Sequence, residues 1–175
     1  MTSQVGSGAS RVGPRLVQQG DAAAAGERSL GGAAPARPAG AVTFLVTAFD
    51  RQTGRMVWES ALEPAGELPS VHDKHNLASS SPVTDGERVY AWFGTGQIAA
   101  LDLSGKTIWT RNLGTEYGPF QINWGHGSSP VIYKDQVILL SYHDRASYLL
   151  ALDARTGAVR WKVDQPRGGT SYSTP

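Results

Sequence analysis

The residues best equipped for chemistry fall in three short segments: Asp73-Lys74-His75-Asn76-Leu77-Ala78-Ser79, Asn123-Trp124-Gly125-His126-Gly127 and Arg167-Gly168-Gly169-Thr170-Ser171-Tyr172. Imidazole, carboxamide, guanidinium, indole and phenol groups are what a protein uses to grip a small molecule or a peptide. The candidate ligand-binding residues are therefore His75, Asn76, Trp124, His126, Arg167 and Tyr172. A competing reading is ordinary loop polarity around a buried hydrogen bond, and a single sequence leaves both open. His72 and His75, with Asp73 between them, have the donor types of a zinc site. They lie three residues apart on a presumed loop with Lys74 in the middle, and no distal motif completes the set, so no metal is assigned.

Other chemistries fall on context. Gly94-Thr95-Gly96-Gln97-Ile98-Ala99 has the spacing of a dinucleotide fingerprint and follows a strand, but the fingerprint needs a helix whose N-terminus meets the pyrophosphate. Here a short strand runs directly to Asp102 and the Ser104-Gly105 turn, so the glycines read as a hairpin connection. No Gly-x-Ser-x-Gly elbow is present and no acid can be assigned to orient a Ser-His pair, so no catalytic residue is assigned. The chain contains no cysteine, which removes disulfides, thiolate metal sites and a cysteine nucleophile.

Composition removes further classes. Sixteen basic residues against 15 acidic ones, with no block of like charge, give no footprint for nucleic acid or a polybasic membrane anchor. The apolar stretches fall far short of the roughly 18 to 20 residues that cross a bilayer as a helix. From residue 1 to 41 there is no aromatic residue, much Gly and Ala, and Pro14, Pro35 and Pro38. Such a segment buries too little apolar surface to offset chain entropy and is expected to be disordered. Its longest small apolar run, at Ala22 to Ala25, is too short for a secretory signal. The abrupt change of composition at Val42 raises the further expectation that this segment is not the native upstream sequence.

From 42 to 175 the text repeats. Ala48-Phe49-Asp50-Arg51-Gln52-Thr53-Gly54 leads to Trp58, Ala100-Leu101-Asp102-Leu103-Ser104-Gly105 to Trp109, and Ala151-Leu152-Asp153-Ala154-Arg155-Thr156-Gly157 to Trp161. The tryptophans are 51 and 52 residues apart. A second motif interleaves at spacings of 48 and 45: Ser80-Ser81-Pro82-Val83, Ser128-Ser129-Pro130-Val131 and Ser173-Thr174-Pro175. A period near 50 signals a propeller or solenoid. Between repeats the chain divides into four short strands, over 81–84, 88–93, 97–103 and 107–111, then 130–133, 136–142, 148–153 and 158–163. Four strands make one propeller blade, and strands apolar on both faces suit sheets covered on both sides. The repeated Asp (Asp50, Asp102, Asp153) can bond the backbone of its own turn, Gly54, Gly105 and Gly157 permit positive φ, and Trp58, Trp109 and Trp161 can pack between blades. That fixed place after each glycine argues for a structural role over a carbohydrate-stacking platform.

These residues resemble the tryptophan-docking motif Ala-x-Asp-x-x-Thr-Gly-x-x-x-Trp of pyrroloquinoline-quinone-like (PQQ-like, BamB-like) repeats. The third copy matches throughout, the first has Phe49 where Leu is frequent, and the second is one residue short. The resemblance implies an all-β fold: a β-propeller fragment of four-stranded antiparallel blades, about two complete blades plus partial flanking blades, after the disordered segment 1–41. Complete members have seven or eight blades, so the chain is expected to be part of a larger propeller, with open edges needing missing blades or self-association as cover. The resemblance also implies a non-catalytic scaffold for a protein or small-molecule ligand at the propeller face, acting in the periplasm or at the cell envelope, with no cofactor. The alternative is part of a quinone-dependent dehydrogenase, with PQQ and calcium held in missing blades; its usual vicinal cysteine pair is absent here. A third is a propeller attached to another module such as a kinase or protease.

Overall fold

The computed structural model describes residues 1–5, 11–12, 42–66, 68–69, 71–72, 75–120, 122, 125–143, 147–165 and 169–175. In chain order the elements are β1 (Thr2–Val5), β2 (Arg11–Val12), β3 (Thr43–Phe49), β4 (Met56–Leu62), β5 (Val71–His72), β6 (Val83–Thr84), β7 (Arg88–Trp92), β8 (Gln97–Asp102), β9 (Thr107–Asn112), α1 (Leu113–Tyr117), β10 (Val131–Tyr133), β11 (Gln136–Ser141), β12 (Tyr148–Asp153) and β13 (Val159–Asp164). Three antiparallel sheets result, ordered β1-β3-β4, β6-β7-β8-β9 and β10-β11-β12-β13, with β2 and β5 forming a separate two-residue parallel contact. The last two sheets are the expected four-stranded blades, with strand ends within two residues of the sequence reading.

The sheets stack so that both faces of the middle one are covered. Toward the first sheet, Ala99, Leu101 and Phe93 pack with Phe44, Val46 and Leu62, and the Phe44 and Phe93 rings stack at 4.3 Å. Toward the third, Tyr90, Trp92, Ile98 and Ala100 meet Val137, Leu139, Leu150 and Leu152. Alternate residues of β8 thus serve opposite neighbours, which explains why this strand is apolar throughout rather than at every second position. Where β3, β8 and β12 pair with their outer neighbours, the register shifts at Ala48/Phe49, Ala100/Leu101 and Ala151/Leu152, the same point of each repeat.

Two features differ from the sequence reading. Thr2–Val5, within the stretch expected to be disordered, pairs antiparallel with β3 in the register Thr2↔Val46 to Val5↔Thr43. Without it, the free side of β3 would expose a row of unpaired backbone groups, and β1 satisfies them. Residues 6–10 and 13–41 lie outside the described part. Second, a single turn of helix follows β9, where no helix was expected. Asn112 caps it by accepting from the Thr115 amide at 3.2 Å. Leu113, fully buried, anchors it in the core.

Candidate functional site

The repeated Asp-to-Trp segment builds the same joint twice. Asp153 Oδ1 accepts from the amides of Arg155 (3.1 Å) and Thr156 (2.8 Å) and from the Thr156 hydroxyl (2.8 Å), folding its turn tightly. Asp102 does the same with the Ser104 amide and hydroxyl and the Lys106 amide. The turn glycine then sits at φ of +88° (Gly105) or +72° (Gly157). Onto that bare backbone lies the tryptophan of the preceding blade. A Cβ on Gly105 would come 2.7 Å from the Trp58 ring, and one on Gly157 2.8 Å from Trp109. The indole nitrogens donate to the same turns, Trp58 to the Leu103 carbonyl (2.8 Å) and Trp109 to that of Ala154 (3.1 Å). Arg111 adds a bond to the Gly157 carbonyl at 2.8 Å. Hydrogen bonds from Thr156, then from Arg160, hold the Asp153 carboxyl down at about 2.

A second set of links joins the Ser-Ser-Pro segments. The buried Ser80 hydroxyl donates to the Ser128 carbonyl at 2.7 Å, and the Ser81 amide donates to Ser129 Oγ at 2.9 Å. The next step along the series has the Ser129 amide facing Thr174 Oγ1 at 3.4 Å. Thr2 Oγ1 extends it backwards, donating to the Ser80 carbonyl at 2.9 Å. The repeat was visible in the sequence; the stapling role of its hydroxyls was not read from it, although the near-constant spacing was the available signal.

Of the candidate ligand-binding residues, His75 and His126 come together. His75 lies over Gly125, where a Cβ would meet its ring at 2.8 Å. Its Nδ1 is 2.8 Å from both the Asn76 carbonyl and the Ser79 hydroxyl. Asn76 turns back on its own loop, its side-chain oxygen accepting from the Ala78 amide at 2.9 Å. His126 is only 3% exposed. Its ring meets Trp92 edge-on at 4.2 Å and Phe120 at 5.1 Å, and Phe120 also meets His143 at 5.1 Å. Burial, then the neighbouring His143 and His75, push the His126 imidazole down to about 3, so it is neutral at physiological pH and behaves as a packed aromatic. Among the described residues neither ring nitrogen has a well-formed hydrogen-bond partner. Tyr172 lies beside the residue that follows His126, with its ring edge 3.6 Å from the position of a Cβ on Gly127. Trp124 and Arg167, like Asp73 and Lys74, lie outside the described residues. Among the described residues no three His, Asp or Glu side chains converge as metal ligands. Trp92, Phe120 and His143 were missed, because only tertiary packing brings them to His126.

Phe120 also closes one side of an open cavity of about 360 Å³ between the first two sheets, walled by Ala65, Leu68, Thr95, Asn112 and Thr115. Among the described residues that line it none is ionisable, a surface that suits an uncharged group.

Comparison with known proteins follows the same outline. A family model described as outer membrane protein assembly factor BamB matches residues 43–175. The chain is 32% identical over 120 residues to outer membrane protein assembly factor BamB of Xanthomonas campestris pv. campestris, covering 66% of this chain and 25% of that protein. It is 27% identical over 150 residues to a polyvinylalcohol dehydrogenase of Pseudomonas sp., covering 68% and 24%. Among solved structures, quinohemoprotein alcohol dehydrogenase from Comamonas testosteroni superposes with a TM-score of 0.50 at 20% identity, over 69% of this chain and 18% of that one, a likeness of fold. The chain thus spans about a quarter of the length of the curated relatives it matches.

Proposed function

The chain belongs to the family described as outer membrane protein assembly factor BamB, and from that premise we propose that it is a non-catalytic propeller module binding protein partners in the assembly of outer membrane proteins. The observation that carries this reading is how the repeat's polar groups are used. Asp50, Asp102 and Asp153 are each bonded to their own turn, and Trp58 and Trp109 are spent on the next turn along. Chemistry-bearing groups therefore hold sheets together, while apolar side chains are exposed on one face of β13 at Trp161 and Val163. Exposed apolar surface and sheet edges are what a scaffold offers a polypeptide. Action outside the cytoplasm, at the envelope, accords with that role.

The alternative, part of a quinone-dependent dehydrogenase, is favoured by the similarity to polyvinylalcohol dehydrogenase. A quinone and its calcium ion need several convergent oxygen ligands. The described residues do not fit that pair, since their repeat carboxylates are locked into outer turns and no three acidic or imidazole groups converge. The two readings separate in one assay. The purified chain is titrated with PQQ and calcium and tested for dye reduction with ethanol or polyvinyl alcohol, and in parallel with a labelled, unfolded outer-membrane barrel polypeptide by fluorescence anisotropy. The scaffold reading expects saturable binding of the polypeptide and no alcohol-dependent reduction. Turnover with alcohol, or no binding of the polypeptide, contradicts it.

A further inference from the structure

The short segment 125–129, which leads into β10 of the third sheet, is fastened at every step to the middle blade. The Gly125 backbone lies under the His75 ring, close enough that a Cβ would stand 2.8 Å from it. His126 packs edge-on against Trp92, at the end of β7, and against Phe120, just after α1. The Ser128 carbonyl accepts from the Ser80 hydroxyl at 2.7 Å, and Ser129 Oγ accepts from the Ser81 amide at 2.9 Å. Of these contacts only the His126 ring reaches deep into the core, and it does so without a well-formed partner for either nitrogen among the described residues. The indole nitrogen of Trp92 beside it is likewise unpartnered there.

That position accepts a neutral imidazole and rejects a charged one. Around the ring stand Trp92 from β7 and Phe120 from the segment after α1, which do not titrate. The described titratable groups that act on it are His143, beyond β11, and His75, before β6. Both are bases that gain positive charge in acid, and the Ser128 backbone offsets them only in part. A buried charge without a counter-ion is costly, so proton uptake requires the ring to leave for water. Outside, an imidazole takes its proton at about 6.5; in place, burial first and then His143 hold His126 at about 3. The closed position is therefore fully favoured above pH 6.5, and its advantage falls roughly tenfold for each unit of pH below that.

We propose that His126 is an acid-operated latch: as a neutral ring it fastens segment 125–129 to the middle blade, and on protonation it leaves for water and releases that segment together with the His75 loop. The sheets themselves stay joined, because Ile98 and Ala100 meet Leu139 and Leu150 through apolar packing alone. Phe120 also walls the open cavity between the first two sheets, so release of the latch removes the support behind that wall. The latch works in the same way whether the propeller is a scaffold or part of an enzyme.

The test follows the full chain by hydrogen exchange with mass spectrometry from about pH 7 to about pH 4.5, each rate divided by the intrinsic chemical rate at that pH. Peptides covering 125–129 and 75–81 are expected to open about a hundredfold more at the acid end, two units below the value of a free imidazole, while β8 and β12 keep their protection. His126→Phe keeps an aromatic ring without a proton site, and His126→Gln keeps a polar side chain that does not titrate. Each variant is compared with itself across pH, so a general loss of stability does not obscure the reading. Both are expected to lose the acid-dependent rise, and His75→Gln, which leaves the latch in place, to retain it. Magnetic resonance of the His126 ring in the folded chain is expected to show no titration above about pH 5. A folded His126 signal that titrates near 6.5, a rise that persists in both His126 variants, or β8 and β12 opening in step with segment 125–129 would each overturn the proposal.

Discussion

The turn at Gly157 and the turn at Gly54 have the same residues at their defining positions, the same hydrogen bonds and nearly the same backbone angle, but one carries a tryptophan and the other meets no side chain among the described residues. The turn itself is therefore set locally, by the carboxylate, the hydroxyl and the glycine, and does not need a partner to form. What the partner adds is burial. Leu152 is fully covered because the second sheet lies against it, while Phe49, at the same place in the repeat, is left open. The comparison teaches that this architecture separates shape from cover: each blade prepares its own socket and depends on a neighbour to fill it.

The comparison breaks most readily at the tryptophans. Trp109→Ala, which removes a half-buried indole and its hydrogen bond to the next turn, should cost about 2 to 3 kcal/mol, below the range for a fully buried aromatic, whereas Trp161→Ala should cost less than about 1 kcal/mol. Denaturant unfolding of the two variants reads the difference; equal losses would mean that seating on the turn glycine contributes nothing. The glycines sharpen the same point. Gly157→Ala combines a positive-φ penalty with overlap against the Trp109 ring and should cost roughly 2 to 4 kcal/mol. Gly54→Ala meets only the backbone penalty, about 1 to 2 kcal/mol, so thermal melts of the pair should rank in that order.

A smaller effect concerns acid. The Asp153 carboxyl is held at about 2 against an ordinary value of 3.8, and Asp50 and Asp102 are likewise lowered, in both cases foremost by a side-chain hydroxyl of their own turn, Thr53 or Ser104. A carboxyl depressed by folding stabilises above its unfolded value, and that stabilisation is lost as pH falls through the folded one. Stability should therefore decline from about pH 4 down to about pH 2. Asp153→Asn, which retains an acceptor oxygen but does not titrate, should flatten that decline. An unchanged acid profile in the variant would show that Asp153 is not among the groups responsible.

Much of the fold was legible because its signals are local and repeated. The spacing of Trp58, Trp109 and Trp161 gave the blade period, and Gly94-Thr95-Gly96 and Ser104-Gly105 fell between strands as turn residues should. The pairing of Thr2–Val5 with β3 was not legible, since it joins segments some 40 residues apart and β1 has no aromatic or strongly apolar pattern to announce it. The candidate site was legible only in part. Loop position brought out His75 and His126, but the depth at which His126 is packed depends on Trp92 and Phe120 arriving from other parts of the sequence. A polar residue type could not reveal that its side chain is used as a neutral ring in a core.

The most direct test of the account is hydrogen exchange at the tryptophan indole nitrogens, followed by nuclear magnetic resonance on a dilute, single-copy sample. Trp58 and Trp109, each donating to the turn of the next blade, should exchange only by substantial unfolding of the sheets. Trp161, bonded to Gln136 at the exposed face, should exchange many times faster. Three indoles exchanging alike in the dilute sample would contradict the distinction between filled and open joints on which the account rests.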